Sequence, residues 1–524
     1  MPNRIGFNLN PPSAPFSLAR RRDGDEVKKC LTLSLLACAV VLASKRINFL
    51  IYFLFAIGFF FIAGCAAPRH SKILVQMIKA QEEYFGNEII PGFDKENNAV
   101  TQVVHYDNTG EIKSELGKYP RQVSLVKIPF DKSQSLVHDK QLLPLDSFLT
   151  EEELKEFRQT FLLTSLGESA GKQYLIPRKY ETRIMVYCKS KVADALAVWR
   201  TYRDSVSNEL RKMNGYGLPA TYILEDDPNK WDFYDVYMVG WIWAHTPYNG
   251  KFKGRIAHRG KRYSGTSQRI IDRIFECKGD SSQVLTMKGD AVTDALTWEA
   301  MYSVSVYNKR MWEEAWSGTD IWKGFRDGEV FLAFMTQLDC FFIHGTGQDG
   351  LDGYLKEPAD MGVATMPQGC SATLDKNGTV EREGCKAVTT GGWWWGIPFD
   401  SPNPRFSYQL ARYITSTKSQ LKDCSRFGMI PVRKDILSDM SMLFGEGWVT
   451  EIYETSFKQL MHNGSAVLPA NSNIDKIGNL YIEAWYDIVV GKNWSDRGAF
   501  PQWDYIHKLL ETKYAPQAAR ILGK

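Results

Sequence analysis

The sequence predicts an α/β protein. Three observations carry that reading. Apolar residues recur at helical spacing in some stretches, short apolar runs with polar exits stand between them, and Gly, Pro and Asn-Gly pairs mark the changes. Helix alternating with strand is the mark of a layered α/β domain. With 524 residues the chain has ample length for large cores, at a prior of roughly 150 residues per domain.

Taken in order, the pattern from Lys72 is helical, with Leu74, Met77, Ile78, Tyr84 and Phe85 in step until Pro91-Gly92. "AVTQVVHYD" and "QVSLVKIPFD" each read as a strand with a polar exit. Thr150 and Glu153 form a capping box that opens the helix in "TEEELKEFRQTF". "YLIPRKYETRIMVYCKS" reads as paired extended segments. A long helix over about 191–213 closes at Asn214-Gly215. Another is expected over about 291–316. In residues 322–343 a turn at Asp327-Gly328 precedes a strongly apolar strand. "MGVATMP" is one more strand and "PRFSYQLARYITS" a short helix. Helices near 450–462, 474–491 and 503–522 finish the chain.

The formal net charge is +4. Residues 1–64 hold eight Lys/Arg and three Asp/Glu, so the body from 65 to 524 carries 56 and 57, a net of −1. A nearly neutral body argues against nucleic acid as a partner, because phosphate binding needs concentrated basic surface. The segment "RIAHRGKRYSGT" is basic, and a solvated face is expected for it, with contact to an acidic sugar or phosphate as the alternative. No Cys-x-x-Cys, no Cys/His cluster at zinc spacing and no H-E-x-x-H is present, so no metal is expected. Gly345–Gly350, "GTGQDG", fits a dinucleotide pattern, but the Gly- and Pro-broken sequence after it opposes the required helix. A loop is expected there, and no cofactor.

Residues 47–64 are an uncharged apolar run preceded by Lys45-Arg46 and followed by Cys65 in "IAGC". A basic region, an apolar stretch and small residues before a cysteine make a secretory signal that resembles a bacterial lipobox. Cys65 would then carry the lipid; a transmembrane anchor is the alternative. Because 46 residues precede this run, translation is expected to start near Val40–Leu42. Asn377-Gly378 signals a hairpin between Cys370 and Cys385, and export makes a disulfide across it plausible. Cys188, Cys277, Cys340 and Cys424 pair unpredictably or stay free.

Gly391–Pro398 reads "GGWWWGIP". Side chains alternate faces along a strand, so Trp393 and Trp395 share one face and Trp394 takes the other. Ligands in open α/β sheets sit beyond the carboxyl ends of strands. That rule selects Tyr106 and Asp107 after the second strand, and Asp131 after "KIPF". Asp339 follows an apolar strand and joins them.

In order, "AQEEYFGNEIIPGFDKENNAVTQVVHYDNTGEIKSEL", "LLPLDSFLTEEE", "YLIPRKYETRIMVYCKS", "FRDGEVFLAF", "GVATMPQG", "TTGGWWWGIPFDSPNPRFSYQLARYITS" and "GMIPVRKDIL" resemble the extracellular solute-binding proteins of bacterial ABC importers, the maltose-binding-like family 1. The resemblance spans about residues 74–520. It implies two α/β lobes that close on a ligand held between them: residues 65–185 with 391–428, and 186–390 with 429–524. It implies no enzymatic chemistry, and delivery of a sugar or oligosaccharide to a membrane permease and its ATPase. It places Trp393 at the cleft as a sugar platform, with Trp395 beside it or packed at the hinge. Arg178 lies on the first crossing, and Trp241, Trp243 and His245 are second-lobe candidates. A secreted glycosidase using an Asp/Glu pair, or the same fold for a non-sugar solute, remain open alternatives.

Overall fold

The computed structural model describes residues 68–524 apart from 108–110, 248, 346–352, 441–446, 464, 467, 470, 472, 493 and 495–499. The leader, Cys65 and most of the Gly345–Gly350 segment lie outside the described residues. The chain divides into two units, Met1–Arg69 and His70–Lys524, and the second is the body.

The two main sheets are built from β1 (Arg69–Val75), β2 (Ala99–His105), β3 (Val123–Pro129), β4 (Leu175–Glu181), β5 (Arg183–Cys188), β6 (Ile256–Ala257), β7 (Leu332–Thr336), β8 (Met361–Ala364) and β9 (Gly391–Gly396). The first sheet has the order β2-β1-β3-β9-β4 and the second β8-β5-β7-β6. β1 runs parallel to β3, while β9 lies antiparallel between β3 and β4.

The sequence pattern errs at the start. The expected helix from Lys72 is a strand as far as Val75, and helix α1 (Lys79–Tyr84) begins only afterwards. Ile73, Leu74 and Val75 are wholly buried. A run buried on both faces has no period, so it reads equally as helix or strand. A π turn (Phe85–Ile89) leads from α1 into α2 (Ile90–Asn97). The strands expected around residues 99–107 and 122–131 are present. α3 (Phe130–His138) follows β3 without a break. In α4 (Glu151–Thr160) the capping box is formed as expected, with Glu153 N–H donating to Thr150 Oγ1 and Thr150 N–H to the Glu153 carboxylate.

β4 and β5 are both extended, yet they do not pair with each other. The chain leaves the first sheet at Glu181 and enters the second at Arg183. Thr182 between them donates its N–H to Gln337 Oε1 at 3.0 Å. The second sheet is covered by α5 (Lys189–Asn214), which ends on Gly215 at φ +82°, by α6 (Phe233–Ala244) and by the following α7 (Ser264–Glu276). α8 (Asp290–Ser305) stops eleven residues before the expected end at 316. A short helix, α9 (Gly318–Arg326), precedes β7. The apolar run after Gly328 is not one strand. Thr336 and Asp339 form a capping box that turns it into α10 (Gln337–His344).

The hairpin at Asn377-Gly378 forms, with Leu374 opposite Val380. The expected disulfide does not. Cys370 stands opposite Glu383 rather than Cys385, and both cysteines are free thiols. The Cys385 Sγ instead points to the Phe275 carbonyl at the end of α7.

After β9, α11 (Pro404–Ile414) and α12 (Thr417–Phe427) pack on the first sheet, with Tyr413 edge-on to Phe93. The chain stays on that side beyond the expected boundary at 428: Ile430 bridges to Tyr180 and Arg433 to Phe161. α13 (Trp448–Met461) then packs against β5 and β8. α14 (Ile474–Trp485) lies against α7. Among the described residues no helix is long and apolar enough to cross a membrane.

Candidate functional site

Between the two sheets lies a cavity of about 500 Å³. One wall comes from the first sheet and α1: Gln76, Gln81, Lys127, Lys179, Glu181 and Trp393. The other comes from the second lobe: Arg259, Tyr263, Trp322, Asp339 and Phe342. A second chamber of about 320 Å³ shares Gln76, Glu181, Arg259, Tyr263 and Trp393, and adds Asp131, Gln268 and Thr390. The two chambers make one cleft with Trp393 at their junction.

On the first wall, Trp393 is half-buried and its ring meets the Lys127 ammonium 3.7 Å from its centroid. Lys127 stands opposite Trp395 on β3 and reaches diagonally to Trp393, so the two tryptophans share a face as alternation predicts. Ahead of them, Gly392 takes φ +137°, and a Cβ there would come 2.3 Å from the Lys179 carbonyl oxygen. Only glycine fits that approach to β4. Lys179 pairs with Glu181 at 2.5 Å. Burial alone would raise the Glu181 carboxyl, but Lys179, Lys127 and Arg259 together hold it below the usual value. Lys127 is driven the other way: burial, then the Arg178 and Lys179 cations, push it well below the ordinary lysine range.

On the second wall Asp339 organises its neighbours. It accepts from Thr336 N–H and Oγ1 at 3.0 and 2.7 Å, from Trp322 Nε1 at 2.9 Å and from Arg259 at 3.0 Å. Trp322 stacks on Phe342 with centroids 4.2 Å apart and planes at 8°. Arg259 and Tyr263 both come from the basic segment that the sequence assigns to a solvated face. In the second chamber Asp131 opens α3, and burial raises its carboxyl. Among the described residues no group of three His, Cys, Asp or Glu is placed to hold a metal ion.

Of the residues singled out in the sequence, the cleft gathers Trp393, Asp131 and Asp339. The others are elsewhere. Trp395 is wholly buried and stacks on Phe85 at 6.0 Å, so it packs the interior of the first lobe. Tyr106 is buried and donates its hydroxyl to the Lys127 carbonyl, while Asp107 is exposed beside His105. Both lie at the end of β2, the edge strand farthest from the second lobe's crossing, where the strand-end rule does not reach the cleft. Arg178 is the extra residue where the β4 register shifts against β9; it turns inward to pair with Asp423 of α12 at 3.0 Å. Trp243 gives its Nε1–H to the Lys191 carbonyl, and Trp241 stacks on His245 at 3.7 Å. These three pack α6 against its neighbours and do not line the cleft. Lys127, Lys179, Glu181, Arg259, Tyr263 and Trp322 were missed. One signal was available: Lys127 is the single charge in a strand that is otherwise uncharged and mostly apolar.

A cleft between two lobes, with aromatic rings and paired charges on facing walls, defines a ligand-binding protein. The chain belongs to the bacterial extracellular solute-binding proteins, whose family model matches residues 89–442. That family binds solutes outside the cytoplasm. No curated protein matches the chain. Solved structures share its fold. An ABC transporter solute-binding protein from Thermotoga lettingae, bound with α-D-tagatose, has 14% identity and a TM-score of 0.58, covering 84% of this chain and 100% of that one. The GacH receptor of Streptomyces glaucescens has 13% identity and a TM-score of 0.60, covering 88% and 100%. MalX from Streptococcus pneumoniae, in complex with maltopentaose, has 18% identity and a TM-score of 0.56, covering 84% and 99%.

Proposed function

We propose that the protein is the extracytoplasmic binding component of an ABC importer, that it captures a sugar or oligosaccharide in the cleft, and that it passes it to the permease and its ATPase. The observation that carries this reading is Trp393, half-buried at the junction of two chambers whose walls mix apolar and aromatic side chains with polar and charged groups. Sugar C–H faces pack on aromatic rings, and sugar hydroxyls need paired donors and acceptors. The tagatose, acarbose and maltopentaose complexes of proteins with this fold support the same class of ligand. Lobe closure on the ligand is an established mode for such folds. The body is tethered through a lipid on Cys65, after removal of the leader. Mass spectrometry of the native amino terminus tests that tether; an unmodified Cys65, or a mature peptide beginning before Ile47, overturns it.

A second reading has one specific observation behind it. Asp131, raised by burial, and Glu181, held ionised, line one chamber, and carboxyls pushed apart in this way are the pattern of acid and base in a glycosidase. One experiment separates the two. The purified body is incubated with oligosaccharides, and thermal shift and product release are both measured. A rise in Tm without turnover supports the binder; repeated release of cleaved sugar overturns it.

A further inference from the structure

The charges in the first chamber do not close. Glu181 is matched by Lys179 and Asp339 by Arg259. Lys127 stands apart. It is 2% exposed, and its ammonium carries three N–H donors. The Gln76 carbonyl takes one of them, and the Trp393 ring lies under the charge. Among the described residues no carboxylate lies within ion-pair distance of it. Across the same chamber, Arg259 has a buried Nε with no hydrogen-bond partner. A sugar hydroxyl would satisfy a donor but leave the charge uncompensated, and a buried charge without a counter-charge is costly.

Resting on the saccharide reading above, we propose that the ligand is an anionic saccharide bearing one negative charge, a uronate carboxylate or a sulfate ester, seated on Lys127 beside Trp393. A monoanion fits better than a phosphate dianion, because Glu181 and Asp339 line the same chamber. The titratable groups that face Lys127 are Arg178, Lys179, Glu181 and Asp423. The two cations among them, with burial, disfavour its charged form, and an arriving anion reverses that bias.

The test is titration calorimetry of the native protein with trimers of galacturonate, mannuronate and guluronate, each against its methyl ester, with sulfated and unsulfated trisaccharides, and with maltotriose. The expected result is at least one acid bound ten-fold or more tighter than its neutral counterpart. Lys127→Met should abolish the preference. Which arm binds, uronate or sulfate, identifies the source of the charge. If neutral sugars bind and no acid exceeds its neutral counterpart, this inference falls and the sugar-binding reading stands. If no saccharide binds to the folded protein, both fall.

Discussion

Trp393 and Trp395 stand two residues apart on β9 and have opposite fates. At the cleft end, Gly392 holds a left-handed backbone and Trp393 stays half-buried with a cation on its ring. At the interior end, Trp394 packs against Phe130 and Tyr180 on one face, and Trp395 lies under Phe85 on the other. Trp393 and Trp395 share a face, so alternation cannot tell them apart. What separates them is cover. The turn after α1 seals the sheet over Trp395 and stops short of Trp393. Face is a property of local sequence, but cover belongs to a helix three hundred residues away.

That contrast can be broken experimentally. Trp395→Ala should cost about 3–5 kcal/mol of stability, measured by denaturant unfolding, with the ligand affinity of the folded protein unchanged. A loss of affinity at full stability would erase the distinction between the two ends. Gly392→Ala comes next, at about 2–3 kcal/mol, since the new Cβ meets strain and a backbone carbonyl together; an unchanged Tm would show that the strand shifts freely here. Trp393→Ala should instead weaken ligand binding by about 1–3 kcal/mol, roughly 5- to 150-fold in Kd. Calorimetry checks this, and a protein that unfolds more easily while binding normally would make Trp393 packing.

The smallest effect concerns the charges beside Trp393. The Glu181 carboxyl is held below its ordinary value of 4.5. Its contribution is therefore present above that value and lost as pH falls through the depressed one. Wild type and Glu181→Gln, unfolded by denaturant from neutral pH to pH 3, should converge as acid is added. A gap that widens in acid would reverse the assigned sign.

Much of the fold was legible because its signals are local. The Thr150–Glu153 box needs four residues, and the long helix ending at Gly215 carries its own stop. β1 was not legible, since a strand buried on both faces shows no period. The Gln337–His344 helix hid because the apolar run it belongs to reads equally as strand, although its Thr336–Asp339 box is as local as the first. At the site, Trp393 was reachable through the family resemblance, which sets the residue after Gly391-Gly392 at the cleft; strand alternation only paired it with Trp395. Arg259 and Tyr263 were not, because a basic cluster reads as solvated until Asp339, eighty residues on, is seen beside it. Arg178 and Lys179 are adjacent in a strand, and only the shift of register against β9 decides that the first is sealed inside and the second meets the cleft.

One residue links the lobes in a way that has a mechanical consequence. Thr182 separates the sheets, and its amide is tied to Gln337 at the start of the second lobe's helix. On one side sits Glu181, paired with Lys179 in the cleft. On the other sits Arg183, paired with Asp272 at 2.8 Å and hydrogen-bonded to Thr389 on the returning chain. Any turn of one lobe against the other along this crossing has to move Glu181 or Arg183, and each carries a charged group already engaged.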